Sequence, residues 1–254
     1  VFNSVDWDVL QLYMTSMKNT QRTNAVKFMH DWQNTGKQNQ QFQDAEVDKP
    51  NAHKQYSDVH TLCPYKCGTL ETPLHYLYCT SSTVTQATNI LIQDIKAVLK
   101  KEYTALPIYS EIIDNLISTL SNTPHVNPTP MHMATPIDTI IQQAIRAQND
   151  IGWTNFLKGR ICRHWSEAQA MYYKQRNDLD TRKYTILRWQ KRLLHIIIGR
   201  CITCWEKRNT ALHGDQAPEC AQIRLQKLKV RVAKAYANDK YLVLTKLISL
   251  FSTP

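Results

Sequence analysis

Apolar residues recur at helical spacing over most of this chain. Trp7, Val9, Leu10 and Tyr13, then Val26, Phe28, Met29 and Trp32, predict two helices between Asp6 and Trp32. Ile90, Ile92, Ile95, Val98 and Leu99 share one side of a third, with Ser81 or Ser82 placed to cap it. Pro107 opens a fourth through Ile112, Ile113, Leu116 and Leu120, because proline is tolerated in a first helical turn. Further on, the pattern predicts helices over roughly 137–149, 151–176, 180–212, 219–237 and 240–251, with a kink near Gly199 in the long one. No run alternates convincingly with period two and no repeat is visible, so the expected class is all-α.

Two stretches interrupt the pattern. Residues 34–60 are polar and glutamine-rich with Gly36 and Pro50 as breakers, which reads as a loop or linker. Residues 121–136 carry Pro124, Pro128, Pro130 and Pro136; each removes a backbone donor and clashes with a preceding turn, so no helix forms there. The expected organisation is a helical hairpin plus polar linker (1–60), a cysteine/histidine segment (61–80), a helical pair (81–122), a proline-rich linker (123–136) and a helical domain (137–254).

Composition narrows the functional classes. With 254 residues and 43% hydrophobic positions, the chain can bury a real core. Its six glycines spell neither a dinucleotide GxGxxG nor a GxxxxGK phosphate loop, and GxSxG, HExxH and calcium-loop patterns are missing as well. The carboxylate pairs Asp6/Asp8 and Asp178/Asp180 precede predicted helices and read as caps rather than as a two-metal site. The expectation is therefore not an enzyme. The apolar stretch Tyr241–Phe251, interrupted by Lys246, is too short to span a bilayer, which takes roughly 20 residues. Seven unevenly spaced cysteines argue against a secreted disulfide framework and for an intracellular, reducing setting, nucleus or cytoplasm. The first residue is Val1, so the chain is expected to be a piece of a longer product.

Charge is divided unevenly. Residues 1–150 hold 11 basic and 14 acidic residues, whereas residues 151–254 hold 20 basic and 7 acidic ones, a net of +13. Such asymmetry points to a polyanionic partner for the second half, nucleic acid before membrane. The expected contacts are Arg160, Arg163, Lys174, Arg188, Lys191, Arg192, Lys227 and Arg231, spread along several helices as phosphate contacts require. The tryptophans interleaved with them sit at core-like spacing.

The sharpest motif is Cys63-x3-Cys67-x7-His75-x3-Cys79. Three thiolates and an imidazole suit a tetrahedral zinc ion, and four protein ligands leave no open place, so a structural site is expected. Gly68 relieves the turn at Cys67, while Thr72 and Pro73 suggest a short helix presenting His75 and Cys79 on one face. The ligand atoms should then lie within about 4 Å of one another. His60 is the nearby substitute ligand. Cys201-x2-Cys204, with His213 and Cys220 downstream, invites the same reading, but the run Ile196-Ile197-Ile198 before it and Trp205 after it make Cys201 and Cys204 core residues of a helix. Cys162 reads as core too. The class is thus refined to a helical N-terminal part with a small CCHC zinc knuckle, followed by a basic bundle of long helices.

The motif Cys63-Pro64, Cys67-Gly68, Glu71-Thr72, His75 and Cys79 resembles the zinc-binding segment downstream of the reverse transcriptase in non-LTR-type retroelement open reading frames, as in algae and related protists. Lys27-Phe-Met-His30-x-Trp32-x-x-Thr35-Gly36-Lys37 is similar to the helix and turn before it; Ala147–Arg160 and Trp205-x-x-Arg208-Asn209-x-x-x-His213-Gly214 are similar to the region after it. One departure is x3 between the first two cysteines where the family usually has x2. The resemblance implies the C-terminal tail of a polyprotein without its catalytic domains, binding zinc and holding element RNA or target DNA for an upstream polymerase. The other reading is a helical protein–protein interaction module with a structural zinc.

Overall fold

The computed structural model describes residues 1–33, 35, 62–123 and 135–213, together with 225, 226, 229 and 230. Among the described residues there are nine α-helices and no strand, only the isolated bridges Val5↔Cys162 and Leu62↔Leu70. The helices are α1 (Trp7–Thr15), α2 (Asn19–Met29), α3 (His75–Tyr78), α4 (Ser82–Lys101), α5 (Leu106–Leu120), α6 (Pro136–Ile151), α7 (Trp153–Leu157), α8 (Arg163–Gln175) and α9 (Ile186–His213). The all-α class is the one expected.

Local chemistry explains the helix starts. The Asp6 side chain accepts from the Val9 amide at α1, and the Ser81 side chain accepts from Val84 at α4. Thr135 and Asp138 form a reciprocal capping box at α6, with Pro136 in its first turn. The helix expected over 151–176 is divided. Gly159 takes a φ of +83°, a left-handed conformation that ends α7, and α8 begins only at Arg163. The helix expected over 180–212 starts later, at Ile186, and continues through Gly199 to His213. The Asp178/Asp180 pair caps no helix: Asp178 takes both ends of the Arg176 guanidinium, and Asp180 accepts from the Arg182 amide. Of the helices expected over 219–237 and 240–251, residues 225, 226, 229 and 230 are helical and the rest lie outside the described residues.

Residues 1–208 make one compact unit and residues 209–254 a second. The first has one continuous core that runs from Val5 to Cys204 and includes Phe28, Phe156, Trp165 and Trp189. The proline-rich stretch expected as a linker lies largely outside the described residues. On its two sides α5 packs on α6, α7 and α8, so the helices before and after it share that core. Trp189 on α9 donates from its indole to Thr104 (2.8 Å), and Gln190 donates to Asp6 and Ser166. Cys162, Cys201 and Cys204 are buried in the core, as their register predicts. No helix among the described residues is long and apolar enough to cross a membrane.

Candidate metal centre

Residues 62–79 fold as a turn followed by one short helix. The Leu62↔Leu70 bridge closes the turn, the Cys63 amide donates to the Thr69 carbonyl (2.9 Å), and the Lys66 amide donates to the Cys63 carbonyl (3.0 Å). Gly68 at φ +82° takes the left-handed conformation expected of it. Helix α3 begins later than Thr72 and Pro73 suggest. Leu74 is its N-cap at φ 66°, and no side chain caps it, because the His75 amide closes a turn onto the Thr72 carbonyl first. His75 and Cys79 still end one turn apart, joined by the Cys79 amide to the His75 carbonyl at 2.8 Å.

This arrangement brings Cys63, Cys67, His75 and Cys79 together. Their ligand atoms all lie within 4.8 Å of one another, a looser cluster than the expected 4 Å, and the group could hold a metal ion. Cys63 Sγ and Cys79 Sγ are 3.6 Å apart, and Cys67 Sγ lies 3.2 Å from His75 Nε2. Thr69 Oγ1 stands beside both members of the second pair, at 3.0 and 3.4 Å. Cys63 and Cys79 are buried with Val84 of α4, while Cys67 and His75 are half-buried. Burial pushes the Cys63 thiol up to about 12. Burial also works to raise Cys67, but hydrogen bonds with the Thr69 side chain and amide, Cys63 and His75 outweigh it and bring this thiol down to about 6. His60 lies outside the described residues.

The segment is bolted to the helical core by groups that sequence reasoning did not assign. Glu71, between the second and third candidate ligands, accepts two hydrogen bonds from Arg208 on α9; the Nε donor lies 2.5 Å from Oε1, and Nη2 meets Oε2. Both side chains are almost wholly buried, at 1% and 2% exposure. The Arg208 guanidinium also lies 4.6 Å from the centre of the Trp205 ring, and Trp205 meets the buried Tyr76 edge-on at 5.4 Å. The Tyr76 hydroxyl donates to Gln33 at 3.0 Å. Helix α3 therefore turns His75 toward the cysteines and Tyr76 and Leu77 into the core. One signal was available: Ile197, Cys201, Cys204 and Arg208 fall on one helical face, which places a charge in a buried register.

The basic residues expected to meet nucleic acid are partly engaged within the fold. Arg188 and Arg192 both pair with Glu102, whose side chain is fully buried, at 3.1 and 2.9 Å. Arg160 donates to Asn155 Oδ1 (2.7 Å) and to the Met29 carbonyl (3.2 Å), and Arg163 donates to the Val5 carbonyl at 3.5 Å. Lys174 is exposed, Lys191 is half-buried, and neither has a carboxylate partner among the described residues. Lys227 and Arg231 lie outside the described residues. Lys158–Asp31, Arg200–Asp94 and Arg208–Glu71 add to the pairs at Glu102. Five cations of the basic half thus neutralise four carboxylates of residues 1–150.

Fold and site define a helical protein with a Cys3His cluster of metal-binding composition. Compared with protein-family models, curated proteins and solved structures, the chain matches none.

Proposed function

We propose that the chain is a non-catalytic binding module in which Cys63, Cys67, His75 and Cys79 hold one structural zinc ion, serving as the nucleic-acid-holding C-terminal part of a retroelement reverse transcriptase polyprotein. The observation that carries the metal reading is the meeting of four donors from a turn and a helix. Tetrahedral bonds of 2.3 Å to sulfur and 2.0 Å to nitrogen put ligand atoms about 3.8 Å apart for S···S and 3.5 Å for S···N. The separations of 3.6 and 3.2 Å suit those edges, and the widest, at most 4.8 Å, closes by about 1 Å. Buried Cys63 ionises when a dication is there to pair with it, so binding releases protons and links metal to folding. With every place filled by protein, the ion's contribution is to tie the turn that carries Cys63 and Cys67 to the helix that carries His75 and Cys79.

The nucleic-acid reading rests on the resemblance and on the 20 basic against 7 acidic residues of 151–254. With four phosphate contacts from that half, affinity for a duplex falls about a hundredfold between 50 and 200 mM salt. The engagement of Arg188 and Arg192 by Glu102 favours a second reading, a helical module for a protein partner. Metal analysis and a salt titration of the reduced full chain test both parts. One zinc per chain is expected, with a salt effect of about a hundredfold on a duplex and about fiftyfold on a mixed single strand. Protein without zinc overturns the metal centre. Nucleic-acid binding that is absent at 50 mM salt, or insensitive to salt, leaves the interaction module as the reading.

A further inference from the structure

Within the first unit, residues of α1, α4 and α9 line an open cleft of about 460 Å³. Its apolar walls are the Tyr13 ring, Val98 and Ile196, and it is also lined by the cations Lys191 and Arg192 and by the His195 imidazole. The volume lies in the range of sites for small ligands, roughly 300–1,000 Å³. Residues 191 and 195 are one helical turn apart, as are 192 and 195, so their Cβ atoms lie about 5–6 Å apart at each step. Helix geometry, rather than a flexible loop, sets this spacing.

The charges are not cancelled where they stand. Glu102 is one carboxylate shared by Arg188 and Arg192, so that trio keeps a positive charge. The pair also holds the Arg192 guanidinium in place by one nitrogen while its remaining N–H groups stay available. Lys191 has no carboxylate within ion-pair distance among the described residues. The Tyr13 ring meets the His195 ring edge-on with centroids 6.2 Å apart, which fixes one wall against the cationic side. Burial keeps the Tyr13 phenol protonated far above neutral pH, raised to about 12, so it presents a hydroxyl and no competing negative charge.

We propose that this cleft binds a phosphate monoester carried on a flat or apolar body, a mononucleotide being the simplest example. A monoester carries about −1.5 to −2 charges at neutral pH and three acceptor oxygens, which suits the neighbouring cations Lys191 and Arg192 better than a carboxylate does. The apolar walls receive the base or sugar. The phosphate comes from either of two sources, a free nucleotide or the 5′ end of a strand. Neither requires long nucleic acid to lie along the helices.

Calorimetry on the reduced, zinc-supplemented full chain tests this, with uridine 5′-monophosphate, uridine and a short strand carrying either a 5′-phosphate or a 5′-hydroxyl. The phosphorylated form of at least one pair is expected to bind about tenfold or more tightly than its unphosphorylated counterpart. Lys191→Ala should erase most of that difference and Lys207→Ala, at an exposed position outside the cleft lining, should leave it, with thermal melts confirming that both variants fold. Whichever pair shows the effect identifies the source of the phosphate. Equal binding with and without phosphate in both pairs overturns the proposal, whatever Lys191→Ala does to folding. A phosphate preference that survives in folded Lys191→Ala overturns it too. Salt-dependent binding of the 5′-hydroxyl strand reports separately on backbone contacts, so the two readings fail independently.

Discussion

The buried pair between Glu71 and Arg208 is the sharpest quantitative consequence of this fold. Glu71→Gln keeps the shape but leaves the Arg208 guanidinium facing a neutral amide in a site where it is 2% exposed. Removing one partner of a buried ion pair costs about 3–5 kcal/mol, because the remaining charge loses its paired carboxylate where little water can replace it. At about 2–4 °C per kcal/mol for a unit of this size, the melting temperature should fall by roughly 6–20 °C. Replacing both partners, as Glu71→Gln with Arg208→Met, removes the uncompensated charge, and the methionine sulfur can rest against the Trp205 ring that the guanidinium now faces. The double variant should therefore recover much of the loss, with a coupling of about 2–3 kcal/mol across the cycle. Urea unfolding of the four proteins measures this, provided their m-values agree. A Glu71→Gln cost under about 1 kcal/mol, or effects that simply add in the double variant, would refute the reasoning.

Other consequences are as direct. Cys79→Ser should abolish stoichiometric zinc by mass spectrometry, whereas Cys201→Ser and Cys204→Ser should retain it, because those two thiols lie in the core of α9. Gly159→Ala should cost about 2–4 kcal/mol in urea unfolding: the position needs a φ of +83°, and the added carbon would meet Ile198 and Leu10 at 3.1 Å. Gly68→Ala, at a similar φ with nothing within 4 Å, should cost only the backbone term of about 1–2 kcal/mol. Glu102→Gln should cost less than Glu71→Gln, since its partners Arg188 and Arg192 have side chains 29% and 41% exposed and can turn to water. Comparing the two melting temperatures checks the order.

Helix type, most helix positions and the Cys3His quartet are legible along the chain because each is a local matter. The period of Ile90 to Leu99 requires no knowledge of its neighbours, and a C-x3-C turn followed by His and Cys one helical turn apart converges by backbone geometry alone. Ser81 as a cap and Cys201 and Cys204 as core residues follow from the same short-range logic. Gly159 shows where that logic ends. Glycine is tolerated inside a helix, and only the close approach of Leu10, Leu194 and Ile198 makes this one a break. The charge distribution is legible only as a sum. Counting along the chain gives residues 151–254 a net of +13, and the packing then pairs Lys158, Arg188, Arg192, Arg200 and Arg208 with carboxylates at Asp31, Glu102, Asp94 and Glu71. Ion pairing across such separations depends on which helices pack together, and no local pattern encodes that. The link from Glu71 to Arg208 likewise exists only because α9 lies against the Cys/His segment. Apolar burial brings those elements together, and it is non-directional, so the partners of each charge are settled only by the packed core.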